Sequence, residues 1–257
     1  MATIEQIWKD FLWKCYHQGA DVTKDDSEIR ELMGNYVFIE RPQDVSFPIF
    51  QKVDSSYLFL DYLEKGLYNI DGYNFKDKAL YNYVNSFNDS NHIFCSDYDT
   101  REDLKLHRLP FVYTYPERLL NYLGILNFDS INQGLVQIGR SDQIEQIANR
   151  LNNNSGSNRA VAVLYNPGVD SKREDIPCLN WLQATVRNNK LELHVMFRSN
   201  DLFGAFPSNM YFLTYVGLCI AEKLVNPVFF NGIHYHSSSL HIYKTNFDEV
   251  EKVLSDE

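Results

Sequence analysis

An α+β domain is what this sequence predicts, and three observations lead to it. Residues 4–18 repeat apolar side chains at helical spacing, two apolar runs flank Asn188-Asn189, and a long apolar helix follows that pair of runs. Neither an internal repeat nor a low-complexity linker interrupts the chain, so residues 1–257 read as a single domain.

In the N-terminal helix the apolar positions are Ile4, Ile7, Trp8, Phe11, Leu12 and Cys15, and Gly19 ends it. Residues 35–40 read as a strand stopped by Pro42, and residues 57–63 as a buried helix. The stretch 68–108 is rich in Asn, Asp and Tyr and has no clear period. Ser141 precedes Gln143, Ile144, Ile147, Ala148 and Leu151, the pattern of a capped amphipathic helix, which closes in the polar loop 152–157. Residues 159–165 form a strand-like run. Residues 181–187 and 191–197 make a hairpin, because Asn-Asn tolerates the left-handed conformation of a tight turn. A helix over 208–223, a strand over 240–243 and a helix over 247–254 complete the chain.

Composition narrows the function. No apolar run reaches the ~20 residues needed to span a bilayer, and the start lacks the profile of a signal peptide, so the expected location is cytoplasmic. A net charge of −10 argues against binding a nucleic acid polymer, since neutralising phosphates needs a basic surface. A small anion held in a local cationic pocket remains compatible. The four cysteines, Cys15, Cys95, Cys178 and Cys219, lack metal-ribbon or redox spacing and are expected to be reduced thiols.

Chemistry concentrates in two places. Cys178 follows Asp175-Ile176-Pro177 at the entry to the hairpin, and the second hairpin strand runs into Arg198-Ser199-Asn200-Asp201 and then Pro207-Ser208-Asn209. So many polar groups between a strand and an apolar helix are costly unless they pair with each other or with a ligand. An Arg forks onto phosphate, a Ser hydroxyl can share that anion, and an Asn amide can both donate to and accept from a base edge. The plain alternatives are a buried structural thiol and a polar turn that caps the next helix.

These segments resemble the thymidylate synthase and pyrimidine nucleotide hydroxymethylase family. The matching text is Asn158-Arg159-Ala160-Val161, Pro177-Cys178, Arg198-Ser199-Asn200-Asp201, Pro207-Ser208-Asn209 and His241-Ile242-Tyr243, in family order and spacing over roughly 141–246. Arg30-Glu31-Leu32 and Tyr115-Pro116-Glu117-Arg118-Leu119 look like degraded family segments. The resemblance implies a thymidylate synthase-like α+β fold, a large mixed β-sheet packed by helices, and a sheet-to-sheet homodimer. It implies modification of carbon 5 of a pyrimidine nucleoside monophosphate, by methyl or hydroxymethyl transfer from methylene-tetrahydrofolate. Cys178 would be the catalytic thiolate that adds to carbon 6. Arg198 and Ser199 would hold the 5′-phosphate, Asn209 the base edge, and His241 and Tyr243 the sugar. Asp201 would lie near the folate ring, Arg159 would reach the partner's phosphate site, and Tyr115 is a further candidate.

The chain also departs from that family. Phe59 stands where the catalytic Glu belongs, with Asp61 and Glu64 as neighbouring carboxylates, and Leu179 follows the nucleophile where synthases carry His. The tryptophan-bearing folate surface is not recognisable in residues 67–110, and the chain ends without an apolar tail. A nucleotide-binding protein or partner subunit that keeps the pocket but not the one-carbon transfer is therefore the competing reading. A zinc set of His234, His236 and His241 is a weaker alternative. His194 reads as an interior histidine, the acidic run Asp97 to Asp103 as a solvated loop, and the Tyr-rich stretch 57–83 as packing or base stacking.

Overall fold

The computed structural model of the protein describes residues 4–24, 26–42, 115–120, 122–127 and 137–255. The expected helix at 57–63, the stretch 68–108, Phe59, Asp61, Glu64 and the acidic run lie outside the described residues.

Helix α1 (Ile4–Gln18) buries all six apolar positions of its pattern, each side chain contributing about 1.5–3 kcal/mol on leaving water. At Gly19 the chain turns into β1 (Ala20–Lys24), which pairs antiparallel with β2 (Ser27–Glu40). Next come α2 (Tyr115–Leu120), then β3 (Tyr122–Asn127) and β4 (Gln137–Ser141), which form a separate two-stranded antiparallel sheet. Helix α3 (Gln143–Asn153) is capped by Asp142, whose carboxylate accepts the Glu145 N–H at 2.9 Å. The cap thus falls one residue after Ser141, because the Asp142 oxygen lies within reach of the third helical amide.

The second half contains β5 (Val161–Val163), the short α4 (Pro167–Asp170), β6 (Leu179–Arg187), β7 (Lys190–Phe197) and β8 (Asn200–Asp201). Helix α5 (Phe206–Glu222), β9 (Phe229–Tyr243) and α6 (Phe247–Ser255) follow. Both residues of the β6–β7 turn are left-handed, Asn188 at φ 51° and Asn189 at φ 59°, as a two-residue hairpin requires. Helix α5 begins at Phe206-Pro207, ahead of Ser208, and has no side-chain cap at its N-terminus. Proline at the start of a helix loses no hydrogen bond, which favours that entry.

Seven strands form the main sheet in the order β1-β2-β9-β7-β6-β5, with β8 also paired to β9. It is a mixed sheet: β9 runs parallel to β7 and β8 and antiparallel to β2. Parallel neighbours need a crossover, and α5 provides it between β7 and β9. Leu182, Ala184, Leu193, Val195, Ile233 and Tyr235 are all fully buried on the face where α1, α3 and α5 pack. The opposite face presents Thr185, His194, Met196, His234 and His236, which are half-buried or exposed. Among the described residues, no helix is long and apolar enough to cross a membrane.

Helix α5 lies close to β9 because position 217 is glycine. A Cβ there would come within 2.3 Å of the Phe230 ring. Gly217→Ala is expected to destabilise the fold by about 1–3 kcal/mol through overpacking, lowering the urea midpoint without changing the slope.

Candidate active site

The site is built where the β6–β7 hairpin opens. Leu179 pairs with Phe197, so the next residues outward, Cys178 and Arg198, face each other, and the Arg198 N–H donates to the Cys178 carbonyl at 2.8 Å. The Arg198 guanidinium folds back over the approach to the thiol. Its Nη2 donates to Ile176 O at 2.8 Å, its Nε to Pro177 O at 3.2 Å and its Nη1 to Ser199 Oγ at 3.3 Å. An arginine has five N–H donors, so two remain for an anion. Ser199 Oγ lies 3.8 Å from Cys178 Sγ.

Among the described thiols, accessibility singles out Cys178. Cys15 and Cys219 are buried, and burial pushes both thiols up to about 12. Such thiols stay protonated and unreactive at neutral pH. Cys178 is half-buried, at the edge of the core. Cys95 lies outside the described residues.

A fixed amide relay lies beside the thiol. Asn209 Nδ2 donates to Asn200 Oδ1 at 3.0 Å, and Asn200 Nδ2 donates to the Tyr235 hydroxyl at 2.9 Å. All three side chains are buried, and the Tyr235 phenol is pushed well above its usual range, chiefly by that burial. A negative charge on Cys178 adds to this upward push, which places the phenol within electrostatic reach of the thiol. The relay fixes which way the Asn209 amide points.

The sugar-side candidates lie on β9. His241 is 3% exposed and its Nδ1 has no hydrogen-bond partner among the described residues. Burial, with the nearby charges of Lys24 and Arg198, lowers its pKa to about 4, so the ring is neutral at physiological pH. Tyr243 packs edge-on against it, with ring centroids 5.2 Å apart. Asp201 pairs with His241 through the β8–β9 backbone register. Its carboxylate accepts the Phe203 N–H at 3.0 Å and also holds the Gly204 amide, and burial raises its pKa to about 6.

Tyr115 stands behind the Cys178 backbone, its hydroxyl accepting the Leu179 N–H at 3.1 Å. The helix that carries it is anchored by a buried ion pair, Arg118 Nη2 to Asp170 Oδ1 at 2.5 Å, and by Gln143, which donates to the Arg118 carbonyl at 2.8 Å. Asp170 Oδ2 in turn accepts the Asn166 N–H at 2.7 Å, so the pair also fixes the segment leading to Cys178.

Arg198, Ser199, Asn209, Asp201, His241, Tyr243 and Tyr115 are therefore linked to Cys178 by a chain of contacts and charges. Arg159 stands apart from them. It is exposed ahead of β5, and its only described hydrogen bond is its own N–H to Ser157 Oγ. Arg30 is also elsewhere, paired with Asp21 at 2.7 Å and stacked on Phe247. The supposed zinc set breaks up: His234 and His236 are half-buried on the open face, while His241 is buried at the other end of β9, near Lys24 and Arg198. His194 is not interior either, but half-buried on the open face against His234.

Sequence reasoning gave no role to three residues here. Asn200 and Tyr235 carry the amide relay, and Tyr235 had no local signal because it comes from β9. Arg187 is the third, its Nη2 donating to Asn158 Oδ1 at 2.6 Å and so placing a second guanidinium beside the Asn158-Arg159 segment.

The fold defined by this sheet and its helices is the thymidylate synthase fold. Thermostable thymidylate synthase A from Bacillus subtilis aligns with a TM-score of 0.64 at 16% identity, covering 100% of this chain and 85% of that one. The thymidylate synthase family profile matches residues 68–257, and the chain belongs to that family. One relative, named "Putative thymidylate synthase", from Methanothermobacter thermautotrophicus, is 28% identical over 252 residues, 96% of this chain and 93% of its own. Another of the same name, from Methanocaldococcus jannaschii, is 36% identical over 148 residues, 55% of this chain and 60% of its own.

Buried neutral His241 has a consequence for stability. The unfolded chain takes up that proton near the ordinary 6.5 and the folded chain only near 4, so stability is lost as pH falls through this window. Asp201 acts in the opposite sense, because its folded pKa is raised: its contribution is lost as pH rises from about 3.8 to 6. His241→Gln removes the first effect alone. Urea midpoints at pH 7 and pH 4.5 are expected to show the variant losing roughly 2–3 kcal/mol less than wild type on acidification. An equal loss in both proteins would refute neutral burial.

Proposed function

We propose that this protein modifies carbon 5 of a pyrimidine nucleoside monophosphate, with Cys178 adding to carbon 6 of the ring. The observation that carries this reading is the half-exposed Cys178 thiol beside Ser199, under an arginine with two donors to spare. The thiolate forms a bond to carbon 6 while the electrons of the ring double bond move to make carbon 5 nucleophilic. Carbon 5 takes the new substituent and gives up its proton, and the sulfur–carbon bond then breaks to free the thiolate.

Each binding role has a physical basis. Arg198 and Ser199 form a phosphate grip, and Asn209, oriented by Asn200, reads the base edge. The unpartnered Nδ1 of His241 fits a sugar hydroxyl, since a buried polar atom in a native fold normally has a partner. When bound, methylene-tetrahydrofolate would supply a one-carbon unit at the formaldehyde level, which becomes methyl with a hydride from the same tetrahydrofolate, or hydroxymethyl with water. Asp201, ionised at neutral pH and half-buried, fits the N–H groups of a reduced pterin. In a sheet-to-sheet homodimer, Arg159 and Arg187 would be the cations offered to the partner's phosphate site. The setting we infer is cytoplasmic.

One observation favours a second reading, that of a nucleotide-binding protein or partner subunit without one-carbon transfer. Leu179 is fully buried, so the position after the nucleophile adds packing and no polar group to the site.

Release of tritium from carbon 5 of labelled pyrimidine nucleoside monophosphates separates the two. The enzyme reading expects release with methylene-tetrahydrofolate present and its loss in Cys178→Ala. Tight nucleotide binding without release under any condition would leave only the second reading. Arg198→Ala is expected to weaken monophosphate binding by about 1.5–3 kcal/mol, the worth of hydrogen bonds to a charged group. An unchanged affinity in a binding titration would remove Arg198 from the phosphate contact.

A further inference from the structure

The amide relay beside Cys178 does not end at Tyr235. That phenol also hydrogen-bonds the side chain of Ser237, two residues further along β9. Ser237 Oγ in turn donates to the Ser239 carbonyl at 2.7 Å. Every member of the line, from Asn209 to Ser239, is buried.

Its far end sets the direction of every bond in it. A backbone carbonyl can only accept, so the single Ser237 proton is committed to Ser239. Ser237 Oγ therefore accepts the Tyr235 proton, and the Tyr235 oxygen accepts from Asn200 Nδ2, 2.9 Å away. That turns Asn200 Oδ1 toward Asn209, which meets it with its NH2 group at 3.0 Å. Reversing the Asn209 amide would set two carbonyl oxygens against each other in a buried place, which is costly. Asn200 could relieve this only by reversing too, and it would then need the Tyr235 proton already given to Ser237.

This direction bears on the base, given the proposed reading of Asn209 as the residue at the base edge. Uracil offers a keto oxygen at position 4 beside a ring N–H. Cytosine offers an amino group there beside a bare ring nitrogen. One orientation of an amide matches one of these edges, and its reverse matches the other. We propose that this line, from Asn209 through Asn200, Tyr235 and Ser237 to the Ser239 carbonyl, makes the protein select between uracil and cytosine nucleotides. Asn200, Tyr235 and Ser237 act as positioning residues, holding the Asn209 amide in one orientation.

The test is a binding titration of the full chain with uridine and cytidine 5′-monophosphates, each as ribose and deoxyribose forms. The two bases are expected to differ in affinity by about tenfold or more, since the wrong one sets donor against donor and acceptor against acceptor. Tyr235→Phe keeps the ring against Phe197 and Phe206 but deletes the oxygen. Asn200 and Asn209 can then turn together, and the disfavoured base is expected to gain about fivefold or more in affinity. A merely structural defect weakens both bases and gives no such gain. Ser237→Ala returns the Tyr235 proton to Asn200 and is expected to shift the ratio the same way, which keeps the test open should Tyr235→Phe not fold. Equal affinity for the two bases in wild type, or a ratio unchanged in whichever variant folds, overturns this proposal and leaves the nucleotide reading standing. Binding of neither base by the wild-type chain overturns that reading and this proposal with it.

Discussion

Strand β9 pairs with three others at once, antiparallel to β2 and parallel to β7 and β8, and polar side chains hang from both of its faces. Over residues 233–236 it alternates, so Tyr235 is buried in the core and His234 and His236 lie on the other face, whereas residues 239–242, His241 among them, are all buried. A shift of one residue in its register would exchange the two sets. Apolar burial of Ile233, Leu240 and Ile242, together with Gly217 admitting the Phe230 ring, makes such a shift costly. The placement of every polar group in the site therefore depends on an apolar constraint.

That constraint explains how so much polarity is tolerated near the core. Asn200, Asn209 and Tyr235 bond to one another in a relay. Buried networks of this kind fix one arrangement when every member is satisfied. Arg198 and His241 differ from them, since one has donors left over and the other an unpartnered ring nitrogen. The burial that holds His241 neutral also lifts Asp201, and the two act on acid stability in opposite directions. Unmet bonding capacity next to an accessible thiol is what a ligand would complete.

Local signals carried much of this into the sequence. The 3–4 spacing of α1 matched its buried face residue for residue, and Asn188-Asn189 set the hairpin because both residues adopt positive φ. Arg198 through Asn209 were legible as a site because they are contiguous. Strand β9 was seen only over 240–243, since His234, His236 and three consecutive serines hide its alternation. Neither serine starts its helix: Asp142, next to Ser141, reaches the Glu145 amide, and α5 begins two residues ahead of Ser208, at Phe206-Pro207. Long-range pairing was invisible, so the place of Tyr235 and the meeting of Glu192 and His194 with His234 had no signal. The Phe59 question falls on residues outside those described.

Leu179 clarifies how the two halves of the proposed reaction relate. Its amide is held by Tyr115 and its side chain is buried, so this position supports Cys178 through the backbone alone. The polar groups around Cys178 come instead from the end of β7, from the start of α5 and from β9. These groups face a nucleotide in the proposed reading, and Asp201 is the one described residue offered to folate. Thiol addition needs only the first set, whereas one-carbon transfer needs acid–base groups positioned after addition. In the proposed reading the described residues serve addition to carbon 6, a step separable from the transfer that follows it. That separation is why exchange at carbon 5, rather than product formation, is the more direct report on what this site does.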